Sequence, residues 1–389
     1  MRITTLDCET TIFEKGNPFA RRNRLCMVGL GSNTGVYHSL DIEYGNNPYG
    51  YNLEVIAKIL EDTDLLVGFN LKFDLHWIRR YIPDVKIPMR VWDCQLAEFI
   101  LSNQTWAYPS LDESLRKRGF EPKLDVVKKE YWEKGIDTPD VPRDILEPYL
   151  RRDVEGTYEL YQAQLKEITQ NRPEIFTLFK AQCVDLLVLQ EMEFNGMLYD
   201  VPESERLGLE AESKLVQLDA ELDSLANVSG LNWNSSDHIS CVLFGGTIPL
   251  KARVETQRIL KDGTVKIGEK WGVVPLVCPR LAEPRRGTET EKEGIWSVGE
   301  SLLRNLKGSK RVKSIVALLL ERARLSKLQT TYYNGLPKII DQKDWNSGTI
   351  YGSFNQCRAS TGRIASSGPN LQNFSGEIKQ LFHSRFGEL

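Results

Sequence analysis

Four acids and one tyrosine are the residues of this chain whose types and spacing could do chemistry. Asp7 and Glu9 lie two apart in Arg-Ile-Thr-Thr-Leu-Asp-Cys-Glu-Thr, at the end of residues 3–6, which read as a short strand. On an extended backbone, side chains two apart project to the same side. Two carboxylates so placed repel unless a positive charge lies between them. A hard divalent cation such as Mg²⁺ takes carboxylate oxygens and supplies that charge. Alone, such a pair also reads as two solvated acids at a strand end. Asp74 closes the segment Asn70-Leu-Lys-Phe-Asp74, where a short buried strand over Leu65–Gly68 hands over to a helix over Leu71–Tyr81. Ligands gather at that edge of open α/β sheets, although for Asp74 taken alone a first-turn acid favoured by the helix dipole is the plainer reading. Tyr149 and Asp153 stand four apart and share one face of a helix expected to run to about residue 170. A solvated face shared with Arg151, Arg152 and Glu155 is the plainer alternative.

Elements must position these residues. Stretches 25–31 and 35–40 read as strands joined by a turn at residues 32–34, and with 3–6 they suggest a meander. Asn52 could cap a helix over 53–61, in which Val55, Ile56, Ile59 and Leu60 keep helical spacing. A helix is expected over 93–101, and Ser110-Leu-Asp-Glu113 is a capping box that opens another. Pro139, Pro142 and Pro148 mark a loop. Strands followed by alternating helix and strand make an α/β layered domain over residues 1–170.

Residues 171–345 read as mainly helical. Arg172-Pro173 breaks the chain before a helix over 174–195, which Gly196 should stop as an αL cap. Helices are expected over 202–228, from Asn234 to Gly245-Gly246, from a second capping box at Ser297-Val-Gly-Glu300, and from Gly308-Ser309 to about Tyr332. The last carries Lys310, Arg311, Lys313, Arg322, Arg324 and Lys327, which could track a duplex backbone or serve solubility. Residues 247–296 are rich in β-formers. A hairpin is expected there, with arms 254–260 and 265–267 about a Lys261-Asp-Gly-Thr264 turn. Residues 349–355 read as a strand.

Length and composition set limits. The chain has 389 residues, more than one ordinary core holds. Apolar residues make up 41% and charged residues 26%, as in soluble globular proteins. With a net charge of −3, any nucleic-acid contact must come from local patches. Seven scattered cysteines with no Cys-x-x-Cys argue against a disulfide framework or a zinc site. No apolar run is long enough to span a bilayer, so no membrane partner is expected and a reducing cytoplasm, a host's if the gene is a phage's, is the default compartment.

In order, Asp7, Glu9, Asp74, Tyr149 and Asp153 resemble the DEDD 3′→5′ exonucleases of the tyrosine-containing subclass. Asn70-Leu-Lys-Phe-Asp74 is similar to the second motif of the proofreading domain of DNA polymerase I. The resemblance implies a ribonuclease H-like α/β fold, a mixed sheet with flanking helices. It implies two Mg²⁺ or Mn²⁺ ions that clamp a scissile phosphate, one activating a water and one stabilising the leaving oxygen. Asp7, Glu9 and Asp153 would hold the first ion, and Asp7 with Asp74 would serve the second. Tyr149 would orient the water. Phe13, Asn70 and Phe73 would hold a frayed single strand, whose bases stack on such side chains.

The helical region resembles the thumb of family A DNA polymerases. Glu191-Met-Glu-Phe-Asn-Gly-Met-Leu-Tyr-Asp200 is similar to the segment leading in, and Arg324-Leu-Ser-Lys-Leu-Gln-Thr-Thr-Tyr332 to the segment leading out. Arg358-Ala-Ser-Thr-Gly-Arg-Ile-Ala-Ser-Ser-Gly-Pro-Asn-Leu-Gln-Asn373 resembles the palm segment that meets the primer–template minor groove. By that resemblance Arg363, Asn370, Gln372 and Asn373 contact DNA. The insertion 247–296 matches in position a thumb insertion of some phage polymerases that recruits a processivity partner. Residues 346–389 would begin the palm. The sequence ends before either palm aspartate or the fingers helix, so a second polypeptide of a split, phage-type enzyme is expected to supply them. Leu381, Phe382, Phe386 and Leu389 are expected to lie uncovered at that junction. A free-standing exonuclease and a DNA-binding assembly subunit are the rival readings.

Overall fold

A five-stranded mixed sheet organises the N-terminal half. Strands β1 (Ile3–Thr10), β2 (Leu25–Ser32) and β3 (Tyr37–Asp41) form an antiparallel meander. Helix α1 (Gly50–Glu61) leads to β4 (Leu65–Gly68), which lies parallel to β1. Helix α2 (Leu71–Tyr81) then leads to β5 (Val91–Asp93), parallel to β4. The sheet order is β3-β2-β1-β4-β5, with β1 at the centre. This is the mixed sheet with flanking helices that the sequence implies. β1 runs four residues beyond the stretch 3–6 because β2 pairs along it, with Asp7 opposite Gly29 and Glu9 opposite Met27. Both carboxylates therefore sit inside a strand rather than beyond its end.

The computed structural model describes residues 1–44, 50–259 and 265–385. Helices α3 (Cys94–Leu101), α4 (Leu111–Lys117) and α5 (Val126–Glu130) precede the long α6 (Arg143–Lys166), which packs on β1, β2 and β4. The capping box forms: Ser110 Oγ accepts from the Glu113 N–H at 3.2 Å, and the Glu113 carboxylate accepts from the Ser110 N–H at 3.3 Å. Two local expectations change. Asn52 does not cap α1 but lies within it, its amide donating to the Asp41 carbonyl at 2.6 Å. Pro148 lies inside α6, not in a loop. In the second turn, its missing N–H forfeits one bond that the following turns outweigh.

Helix α7 (Phe176–Asn195) packs against α2, α3 and β5, and Phe179, Cys183 and Leu186 join the core of the sheet. Gly196 stops it at φ 58°, ψ −168°, outside the αL region yet still a conformation for glycine. Strand β6 (Met197–Tyr199) follows. Met1–Asp200 together with Pro337–Leu389 make one compact unit, and Val201–Leu336 make the other. Packing thus divides the chain elsewhere than at 170/171 and 345/346, because α7 buries its apolar side chains on the sheet domain.

The second unit holds α8 (Val201–Ala226), α9 (Ser236–Phe244), strands β7 (Gly246–Ile259) and β8 (Val265–Cys278), α10 (Glu300–Arg304) and α11 (Lys310–Lys327). Leu222, Trp233, Phe244, Ile315 and Leu319 form its core. The Ser297–Glu300 capping box does not form; Gly299 is the N-cap of α10 and offers no side chain. The hairpin is far longer than expected, fourteen residues per arm, paired from Gly246 opposite Cys278 to Ile259 opposite Val265. Its expected turn, Lys261–Thr264, lies outside the described residues.

The chain then returns to the first unit. The stretch 349–355 is two short strands, β9 (Thr349–Ile350) and β10 (Ser353–Asn355), not one. β10 pairs with β11 (Ala365–Ser367). β6 pairs with β9 on one side and with β12 (Phe382–His383) on the other. Leu381 is buried, and the Phe382 ring lies 5.0 Å from Tyr199 and 5.1 Å from Phe374. The expectation that these two side chains lie uncovered is therefore corrected. Phe386 and Leu389 lie outside the described residues.

Candidate metal centre

Depth of packing sets this site. Gly29, opposite Asp7, leaves room for α6: a Cβ there would come within 2.8 Å of Val154 and 2.9 Å of Leu150. α6 can therefore lie close over the sheet and deliver Tyr149 and Asp153, one turn apart, beside β1. One ligand oxygen from each of Asp7, Glu9 and Asp153 lies within 4.8 Å of the others. Glu9 is 5% and Asp153 2% exposed. Asp74, 3% exposed in the first turn of α2, lies outside that group and hydrogen-bonds to Cys8 of β1. The Asp7 charge still reaches it.

The electrostatics are those of acids crowded out of water. Burial, then the Asp153 charge, push the Asp7 carboxyl up to about 8. Burial, Asp7 and Asp153 hold Glu9 well above the usual range, and burial with Asp7 does the same to Asp74. Burial also raises Asp153, against the pull of Lys123. Asp153 Oδ1 is buried without a hydrogen-bond partner, an acceptor waiting for a cation. All-oxygen donors at this spacing fit a hard divalent ion.

Sequence reading missed three contributors. Lys123 pairs its ammonium with Asp153 Oδ2 and lies 5.2 Å from the centre of the Tyr149 ring. Trp132 meets the Tyr149 ring edge to face at 5.7 Å. Asp93, buried, accepts from the Leu71 N–H at 2.7 Å and the Leu96 N–H at 2.8 Å, so one carboxylate fixes the starts of both α2 and α3. Gly29 was legible only as a small residue in a strand. Lys123 gave no signal, since it belongs to no periodic element.

Phe13 is part-buried in a 3-10 turn, with the Arg22 guanidinium 4.2 Å over its ring. Phe73 packs partly buried against the sheet core. Asn70 is exposed, in the left-handed region (φ 57°, ψ 46°), just before α2. Arg363, Asn370, Gln372 and Asn373 are exposed near β11, where Asn370 Oδ1 accepts from the Gln372 N–H at 3.1 Å. In the second unit, Arg322 is buried, paired with Asp219 and bonded to the Trp233 carbonyl, so it braces α11 rather than facing a duplex. No described helix is long and apolar enough to cross a membrane.

Fold and acid cluster together define a 3′–5′ exonuclease domain: residues 4–169 match that family. Residues 276–387 match DNA polymerase family A. The DNA polymerase of Bacillus phage SP01 is 24% identical over 406 residues, covering 95% of this chain and 42% of that protein. The thermostable DNA polymerase I of Thermus filiformis is 32% identical over 186 residues, 48% of this chain and 17% of that protein. Among solved structures, the POL domain of Pol1 from M. smegmatis, in complex with DNA primer–template and dNTP, shares the fold with a TM-score of 0.62 at 15% identity. That match covers 98% of this chain and 54% of that one. The chain thus carries a region similar to the 3′–5′ exonuclease domain and, further on, a stretch similar to the polymerase region of family A DNA polymerases. It spans less than half the length of these curated relatives.

Proposed function

We propose that this chain hydrolyses single-stranded DNA from the 3′ end, as the proofreading activity of a replicative polymerase. The observation that carries the reading is the approach of Asp7, Glu9 and Asp153 within 4.8 Å, with a buried, unpartnered oxygen on Asp153. Asp7, Glu9 and Asp153 would hold one Mg²⁺ or Mn²⁺ ion and Asp7 with Asp74 a second, supplying an activated water and charge for the leaving oxygen. Tyr149 keeps its proton, because burial raises its pKa, and its hydroxyl can orient the attacking water. Its ring is fixed by Trp132. Phe13, Phe73 and Asn70 would hold the last bases of the strand.

Arg363, Asn370, Gln372 and Asn373 would contact a primer–template duplex, as exposed polar groups suited to phosphates and minor-groove acceptors. Nucleotide addition would require the remaining palm and the fingers of such polymerases, and the hairpin within 247–296 would take a processivity partner. A lone exonuclease or a mere assembly subunit leaves the polymerase-family match of residues 276–387 without a use. The test is a 5′-labelled single-stranded oligonucleotide. With Mg²⁺ or Mn²⁺ the label should stay on a ladder shortened one nucleotide at a time, and a chelator should stop the reaction. Immediate release of a labelled mononucleotide, or no digestion, would refute the reading.

A further inference from the structure

Lys123 puts a cation of the protein's own where a metal is expected. It belongs to the connection between α4 and α5, in neither helix nor strand. One tie fixes its backbone there: its N–H donates to Asp112 Oδ1 at 3.2 Å. From that anchor the side chain, 27% exposed, reaches into the acid cluster and pairs with Asp153 Oδ2, on a carboxylate that is 2% exposed. The other Asp153 oxygen has no partner. The pair joins an ammonium to a carboxylate, each the other's counter-charge. The group therefore stays charged beside the acids.

An ammonium on Asp153 and a divalent ion shared by Asp7, Glu9 and Asp153 are like charges on one carboxylate. They repel at a few ångströms in a site shielded from water. We propose that Lys123 is an internal counter-ion which competes with the metal for Asp153 and leaves that carboxylate when the metal binds. Without metal, it neutralises part of an otherwise self-repelling acid set. In exchange it lowers the metal affinity that this acid set would otherwise reach. The long flexible stem and a loop anchor suit a group that changes places, where an arginine fork would suit a fixed pair. This rests on the metal-site reading above, and its test separates the two.

Mn²⁺ binding is measured by calorimetry on the full chain at pH 9, where proton competition is smallest. Lys123→Met should bind Mn²⁺ about tenfold more tightly than the parent. Lys123→Arg, which keeps the charge on a group suited to a fixed pair, should bind no more tightly than the parent. Lys123→Met binding no more tightly than the parent overturns the proposal, as does Lys123→Arg binding as tightly as Lys123→Met. Asp7→Ala should lose binding with or without Lys123. If Asp7→Ala binds as the parent does, the metal-site reading fails, whichever way Lys123 behaves.

Discussion

Strands β1 and β8 break the same rule in opposite directions. β1 is the centre of a sheet, covered by α6, yet it carries Asp7 and Glu9. β8 belongs to a two-stranded ribbon, yet on one face Val265, Ile267, Trp271, Val273 and Val277 are apolar and exposed on either side of Glu269, the tryptophan and Val277 at 71% each. Buried carboxylates cost stability unless a cation or hydrogen bonds compensate them. Exposed apolar side chains along one face gain nothing for a monomer, and a lone hairpin is marginal in water. In both places the sequence keeps a residue type that folding alone would remove. The difference is in what each deviation awaits. The acids converge on a point, as for an ion, whereas the β8 side chains lie in a row, as for a surface.

Three perturbations sharpen that contrast. The largest concerns the point-like site. Tyr149→Phe removes a hydroxyl but keeps the ring contact with Trp132, so exonuclease turnover should fall by roughly 10- to 100-fold. Melting should barely move, which a paired kinetic and thermal measurement checks. A smaller effect is expected of pH on the metal-free protein. Asp7 holds its proton up to about 8 when folded but releases it near 3.8 when unfolded. Between those values the folded state binds more protons, so stability falls as pH rises. The melting temperature without metal should drop by several degrees from pH 5 to pH 9, and Asp7→Asn should flatten the slope. A rising melting temperature over that range would mean the acids are not destabilising. The smallest effect is expected on β8. Trp271→Ser, Val273→Thr and Val277→Thr should each change stability by less than about 0.5 kcal/mol in denaturant titrations, because none of them leaves a core.

Legibility followed the same division. Leu65–Gly68 and Leu71–Tyr81 were readable to the residue, because an apolar run ends at a glycine and a 3.6-residue period begins. The Ser110–Glu113 box was readable because both halves of a cap are local. The structure brings Asp7, Glu9 and Asp153 into one cluster; spacing alone left them readable as surface acids, and their order along the chain, with the resemblance to the DEDD exonucleases, nominated them. What failed depended on distant partners. Pro148 gave a loop signal that α6 overrode by packing on the sheet. Arg322 read as a surface charge because its amphipathic helix does not announce Asp219. Leu381 and Phe382 seemed uncovered until β6, from residues 197–199, paired beside them. The arms of the hairpin were underestimated because an exposed ribbon has no buried face to enforce strict alternation. Lys123 depended wholly on where a connecting segment comes to rest.

Release of 3′ nucleotides from single-stranded DNA with Mg²⁺, followed for the parent chain and Asp7→Ala in parallel, decides whether the cluster on β1 and α6 is the catalytic site. Asp7 is the residue assigned to both ions, so the variant should lose at least about a thousandfold in rate while keeping its fold. Asp7→Ala digesting DNA as fast as the parent would contradict the account.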